Sequence, residues 1–141
     1  MLRRFLILMA LLLPATAAAE TYPNRPIRLI VTFAPGGGAD FVGRTIAQPL
    51  SEALGQTVVV DNRAGANGVV GADVAAKAAP DGYTVLLGAA GTLSVAPHLG
   101  EPLPFDPIKD FVPVSLVATG SFVVTVNKSL PVNSIQELIT G

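Results

Sequence analysis

The residues best suited to chemistry form one run, Pro35-Gly36-Gly37-Gly38-Ala39-Asp40, directly after the apolar stretch Leu29-Ile30-Val31-Thr32-Phe33. Glycine has no Cβ, so the backbone can take positive φ and a bound group can approach the main-chain N–H groups closely. A helix starting at Asp40 would add N–H groups without internal partners and the positive end of its dipole. The chemistry this allows is capture of a small anion by main-chain donors. The competing reading is a strand-to-helix turn that needs glycine only for its geometry. Neither common phosphate loop fits. A Walker loop ends in Gly-Lys-Ser/Thr, but Ala39 and Asp40 follow the glycines here; Gly36 and Gly38 match two positions of a dinucleotide fingerprint whose third falls on Phe41. A carboxylate is the better candidate.

Catalytic and metal chemistry find little material. The chain has no cysteine and a single histidine, His98, set in Pro97-His98-Leu99 without a patterned Asp or Ser partner. There is no Gly-x-Ser-x-Gly elbow, and one histidine with scattered acids gives no metal-ligand spacing. The expectation is therefore no enzyme, no metal and no cofactor. Two polar residues have double readings. Asp40 could cap the following helix or pair with a ligand ammonium. Arg63 could balance a ligand's charge or pair with Asp61.

These residues need elements to position them. Ile27 to Phe33 is apolar enough for a strand covered on both faces of a parallel sheet. Residues 40–54 read as a helix with an apolar stripe of Val42, Ile46, Leu50, Ala53 and Leu54, with Asp40 as N-cap, Gly55 as C-terminal cap and a kink expected at Pro49. Gln56 to Val60 reads as a second strand. Asp61-Asn62-Arg63-Ala64-Gly65-Ala66-Asn67-Gly68 then opens a helix over about 69–79 with Val70, Val74, Ala75 and Ala78 on its apolar side. After the Pro80-Asp81-Gly82 turn, Tyr83 to Gly88 reads as a third strand that runs into Ala89-Ala90-Gly91-Thr92. The class is α/β. Three β units end in small-residue loops, and ligands of open parallel sheets bind beyond the carboxyl ends of the strands, so the loops should converge there.

The ends of the chain carry other signals. Arg3 and Arg4 precede the apolar run Phe5 to Leu13, and Ala17-Ala18-Ala19 supplies a small-x-small site before Glu20, which reads as a cleavable signal peptide over 1–19. The apolar run is about half the ~20 residues that a membrane span requires. Cleavage would leave 122 residues and move the formal charge from −1 to −3. That mild acidity and the lack of charge runs give no footprint for nucleic acid or an anionic membrane. At the other end, Ser134 caps a segment, Ile135 to Thr140, that reads as the opening turns of a helix, and the expectation is a piece of a longer protein.

Several short motifs come in a fixed order: Pro35-Gly36-Gly37 with Asp40; Leu54-Gly55-Gln56; Val58-Val59-Val60-Asp61-Asn62-Arg63 with Gly65-Ala66; Pro80-Asp81-Gly82-Tyr83-Thr84; Pro104-Phe105-Asp106-Pro107 with Lys109-Asp110-Phe111 and Pro113-Val114. Together they resemble the Bug (Bordetella uptake gene) or TctC-type family, the periplasmic substrate-binding proteins of tripartite tricarboxylate transporters. The resemblance covers essentially the whole chain after residue 19.

It implies a periplasmic-binding-protein-like (type II) α/β domain with a mostly parallel sheet, incomplete here, and a second domain largely missing. Residues 20–125 would belong to the first domain and 126–141 to the crossover and start of the second. The implied function is an extracytoplasmic receptor, located in the periplasm, that captures a small carboxylate (a di- or tricarboxylate, an acidic amino acid or an aromatic acid) and presents it to membrane transporter subunits. An exported α/β enzyme with catalytic residues beyond residue 141, or an inactive truncated product, are the alternatives. Carried over by position, the ligand-binding residues would be Pro35, Gly36, Gly37, Gly38, Ala39 and Asp40 in the first loop, Asn62, Gly65, Ala66, Asn67 and Gly68 in the second, and Ala90, Gly91 and Thr92 in the third. The chain departs from the commonest pattern with Asp61 for glutamate, Ala64 for proline, Asn67 for glycine and Phe105 where tyrosine is frequent.

Overall fold

A computed structural model describes residues 21–100, 102–121 and 123–140. The signal-peptide expectation for 1–19 lies outside them. Strand β1, Ile27–Val31, is the middle of a parallel three-stranded sheet, flanked by β2, Val58–Asn62, and β3, Thr84–Leu87. Helix α1, Gly38–Leu54, connects β1 to β2, and helix α2, Val69–Ala76, carries the chain from β2 across to β3. Crossovers in parallel sheets share one hand, so connections that step in opposite directions put their helices on opposite faces. Alternation along β1 follows this division. Ile27, Leu29 and Val58 form the core under α1 with Ala47, joined by Ile46, Leu50, Leu54, Val60, Val85 and Leu87.

The most buried helical residues are small. In α1 they include Gly43 and Ala47, and in α2 Gly71 and Ala72. A Cβ on Gly43 would sit 2.9 Å from Val31 Cγ2, and one on Gly71 would sit 2.7 Å from the Arg63 carbonyl oxygen. The expected stripes change accordingly: Ala53 of α1 and Val70 of α2 are exposed, because close backbone approach, and not side-chain bulk, sets how these helices seat. Helix α1 runs through Pro49 without interruption, and Gly55 closes it in a left-handed conformation at φ 65°.

Several element boundaries differ from expectation. β1 ends at Val31, two residues early. β2 runs two residues later than expected, from Val58 to Asn62, since the ladder continues until Val31 pairs with Asn62. Helix α2 stops at Ala76. Beyond β3 the chain turns helically over Gly91–Val95 and Ala96–Leu99, a segment the sequence pattern did not announce. Residues 112–132 carry neither helix nor strand among those described. Helix α3, Ile135–Thr140, begins as expected at Ser134, whose Oγ accepts from Glu137 N at 3.2 Å while the Glu137 carboxylate accepts from Asn133 N at 2.8 Å.

Candidate functional site

Register places the three loops together. Val31 pairs with Asn62 on one side and Leu87 on the other, so all three strands end level and their loops leave from one edge of the sheet. Two side-chain contacts then tie the loops to each other. Asn62 Nδ2 donates to the Phe33 carbonyl at 3.0 Å, joining the second loop to the first. Thr92 Oγ1 donates to the Asn67 carbonyl at 2.7 Å, joining the third to the second. Gly68 sits where they meet: its φ is +91°, and a Cβ there would lie 2.6 Å from Thr92 Oγ1 and 3.2 Å from Thr32 Cβ. Only glycine meets both the conformation and the space.

Within the first loop, Gly36 has φ 83° and Gly37 is the N-cap of α1. Asp40 is not the cap, contrary to the first of its two sequence readings. It lies inside the first turn, 4% exposed, and its carboxylate reaches back: Oδ2 accepts from Gly36 N at 2.9 Å and from Arg44 Nε at 2.9 Å. One turn separates Asp40 from Arg44, the spacing at which opposite charges on a helix meet. Arg44 Nη2 also reaches Asn62 Oδ1 at 3.4 Å. The Arg44 bond and then the Gly36 N–H hold the Asp40 carboxyl down to about 2 from its ordinary 3.8, against the opposing effect of burial.

Since this pKa is depressed, the ionised carboxylate supports the fold fully above pH 3.8 and loses that role as pH falls toward 2. Urea midpoints of wild type and Asp40→Asn, measured from pH 6 to 2, are expected to differ at the top of the range and to converge at the bottom. A gap that stayed constant with pH would contradict this placement of the charge.

The arrangement leaves donors free. Phe41 N donates to the Gly37 carbonyl at 2.9 Å, and Gly37 N to Ala34 at 3.4 Å, whereas the N–H groups of Gly38 and Ala39 have no partner among the described residues. They point out of the first turn of a helix of 17 residues, where the dipole favours negative charge. In the second loop, Ala66 and Asn67 take positive φ, 45° and 52°, and the Gly65 carbonyl accepts from Gly68 N at 2.9 Å. Asparagine tolerates this region better than most side chains, which suits Asn67 to its position.

Of the residues singled out by position, Pro35, Gly36, Gly37, Gly38, Gly65, Ala66, Asn67, Ala90 and Gly91 are exposed at this edge, Ala39 and Asn62 are half-buried, and Asp40, Gly68 and Thr92 are buried behind them. Arg63 Nε pairs with Asp61 at 3.0 Å, and Asp61 also receives Arg28 Nε at 2.6 Å, so the second reading of Arg63 is the one the structure holds. His98 is exposed near the end of the last helical turn. No group of three His, Cys, Asp or Glu residues that could hold a metal occurs among the described residues, and none of the described helices is long and apolar enough to cross a membrane. Sequence reasoning missed Arg44; its position four residues after Asp40 was the available signal.

Comparison with known proteins gives the fold its class. The chain is similar to MatC of Rhodopseudomonas palustris, solved with bound malate, at a TM-score of 0.65 and 41% identity over 68% of this chain and 33% of that one. Rpa4515 of R. palustris, solved with adipate, superposes at a TM-score of 0.69 and 38% identity over 84% of this chain and 40% of that one. The fold is that of periplasmic binding proteins. BugT of Bordetella pertussis is 46% identical over 126 residues, covering 89% of this chain and 39% of BugT. A family model described as the tripartite tricarboxylate transporter family receptor, TctC, matches residues 42–141, and the chain belongs to this family. It spans about two-fifths of the length of the curated relatives it matches.

Proposed function

We propose that this chain is the loop-bearing part of a periplasmic receptor that captures a small carboxylate for a tripartite tricarboxylate-type transporter. The single observation that carries the reading is the unpartnered pair of N–H groups at Gly38 and Ala39, set at a helix N-terminus beside two other loops of the same sheet edge. Main-chain donors recognise a carboxylate whatever carbon skeleton bears it. The malate and adipate found with MatC and Rpa4515 are acids of this kind.

Magnitudes permit the reading and also bound it. Two or three charge-assisted hydrogen bonds at about 1.5–3 kcal/mol each supply much of the ~8 kcal/mol of a micromolar complex. The balance would come from closure by a second domain beginning near residues 126–141. A periplasmic location, reached through removal of residues 1–19, and delivery of the ligand to membrane transporter subunits belong to the same proposal. So does the absence of catalysis: binding by main-chain donors asks for no nucleophile, metal or cofactor.

Isothermal titration of the intact protein with malate and with adipate tests the proposal. Saturable binding of either acid in the micromolar range is the expected result. No heat with either acid, from protein shown to be folded, would overturn it.

A further inference from the structure

A carboxylate buried at the mouth of the loop cluster is a poor neighbour for a carboxylate ligand. Asp40 is ionised, its side chain is 6% exposed, and its Oδ1 is buried without a hydrogen-bond partner among the described residues. Its Oδ2 is bonded to Gly36 N, two residues from the free Gly38 N–H. In surroundings of intermediate dielectric, a lone negative charge bonded into the same loop would oppose a second one there. Among the described residues, one cation contacts it. Arg44 Nε lies 2.9 Å from Oδ2, and the guanidinium extends to Asn62 Oδ1, which anchors the second loop.

We infer that Arg44 is the counter-charge that makes this loop cluster receptive to a carboxylate, acting on the ligand through Asp40 without touching it. This rests on the receptor reading above. Arg44 is 58% exposed, and surface ion pairs as a rule contribute little to stability. The role assigned here is different: it lies in the field that an incoming anion meets, where cancelling a buried charge matters more than the pair's own contribution to folding. It also bears on ligand class. With the Asp40 charge paired to Arg44, the site offers a ligand ammonium no uncompensated carboxylate, and plain acids fit it better than amino acids do.

The test uses adipate and malate as probes, titrated into the intact protein and its variants at 20 and 200 mM salt. Arg44→Gln leaves Asp40 uncompensated and is expected to weaken binding about tenfold at low salt, with a smaller deficit at high salt as screening grows. Asp40→Asn alone is expected to bind at least as tightly as wild type. The double variant Asp40→Asn with Arg44→Gln removes both charges and is expected to return to within about threefold of wild type. That recovery separates the charge role from a structural one, since a fold damaged by losing Arg44 would not be restored by a second substitution.

Equal weakness in Arg44→Gln and the double variant would overturn the inference, as would wild-type affinity in Arg44→Gln. In both cases wild-type binding leaves the receptor reading standing. Wild-type protein that binds neither acid would remove both.

Discussion

Replacing Gly71 by alanine is expected to destabilise the intact protein by about 1–3 kcal/mol and to weaken ligand binding with it. Helix propensity alone predicts the opposite sign, because glycine inside a helix costs about 0.5–1 kcal/mol relative to alanine. Packing decides. The new Cβ would lie 2.7 Å from the Arg63 carbonyl oxygen and 3.1 Å from Thr32 Cα, and both of these are backbone atoms that cannot swing aside. Relief requires α2 to move off β1, which would carry Gly68 away from Thr32 and Thr92 and loosen the junction of the loops. Denaturant unfolding of the variant measures this, and a stabilised Gly71→Ala protein would show that the helix does not seat as closely as described.

The second large effect is expected at Ile30, which is fully buried at 0% exposure on the face of β1 opposite α1. Ile30→Ala should cost about 2–5 kcal/mol, combining lost apolar burial with the cavity left in a strand held on both sides. Val59 is the internal control. It lies on the same face of the neighbouring strand, paired with Arg28, yet is 49% exposed, so Val59→Ala should fall within about 0.5 kcal/mol of wild type. Comparable losses at the two positions would mean that the burial assigned to the sheet is wrong.

Much of this architecture is legible in the residues. Glycine runs after apolar β-branched segments marked the loop positions, Gly55 marked the end of α1, and Ser134 marked the start of α3. Where the structure departs from the sequence pattern, the causes are identifiable. The expected α1 stripe is right at Ile46, Leu50 and Leu54, which pack on the core, but the two stripes leave out Gly43, Ala47, Gly71 and Ala72, the most buried helical residues, whose smallness lets the helix backbones approach the sheet. The sequence pattern ends β2 too early because Asp61 and Asn62 are poor strand formers by local preference. Their place in the ladder depends on Arg28 across the sheet and on the Phe33 carbonyl, partners that lie 33 and 29 residues away. Asp40 reads as a possible cap because Asp before a helical pattern usually is one. Gly37 takes that position, and the carboxylate closes the turn from within.

The Arg44 contact shows the limit of reading residues singly. Asp40 by itself suggested a cap or an ammonium partner. Asp40 with Arg44 and Asn62 is a neutralised brace between two loops, and only the fold brings the third member to the other two.

The most direct measurement is an amide titration: uniformly ¹⁵N-labelled intact protein, followed by two-dimensional spectra as adipate or malate is added. Saturable shifts concentrated at the Gly38 and Ala39 amides, with smaller ones in the 65–68 and 90–92 loops, are the expected result. Saturable binding that left Gly38 and Ala39 unmoved while perturbing residues elsewhere would contradict the assignment of the acid to main-chain donors at this edge of the sheet.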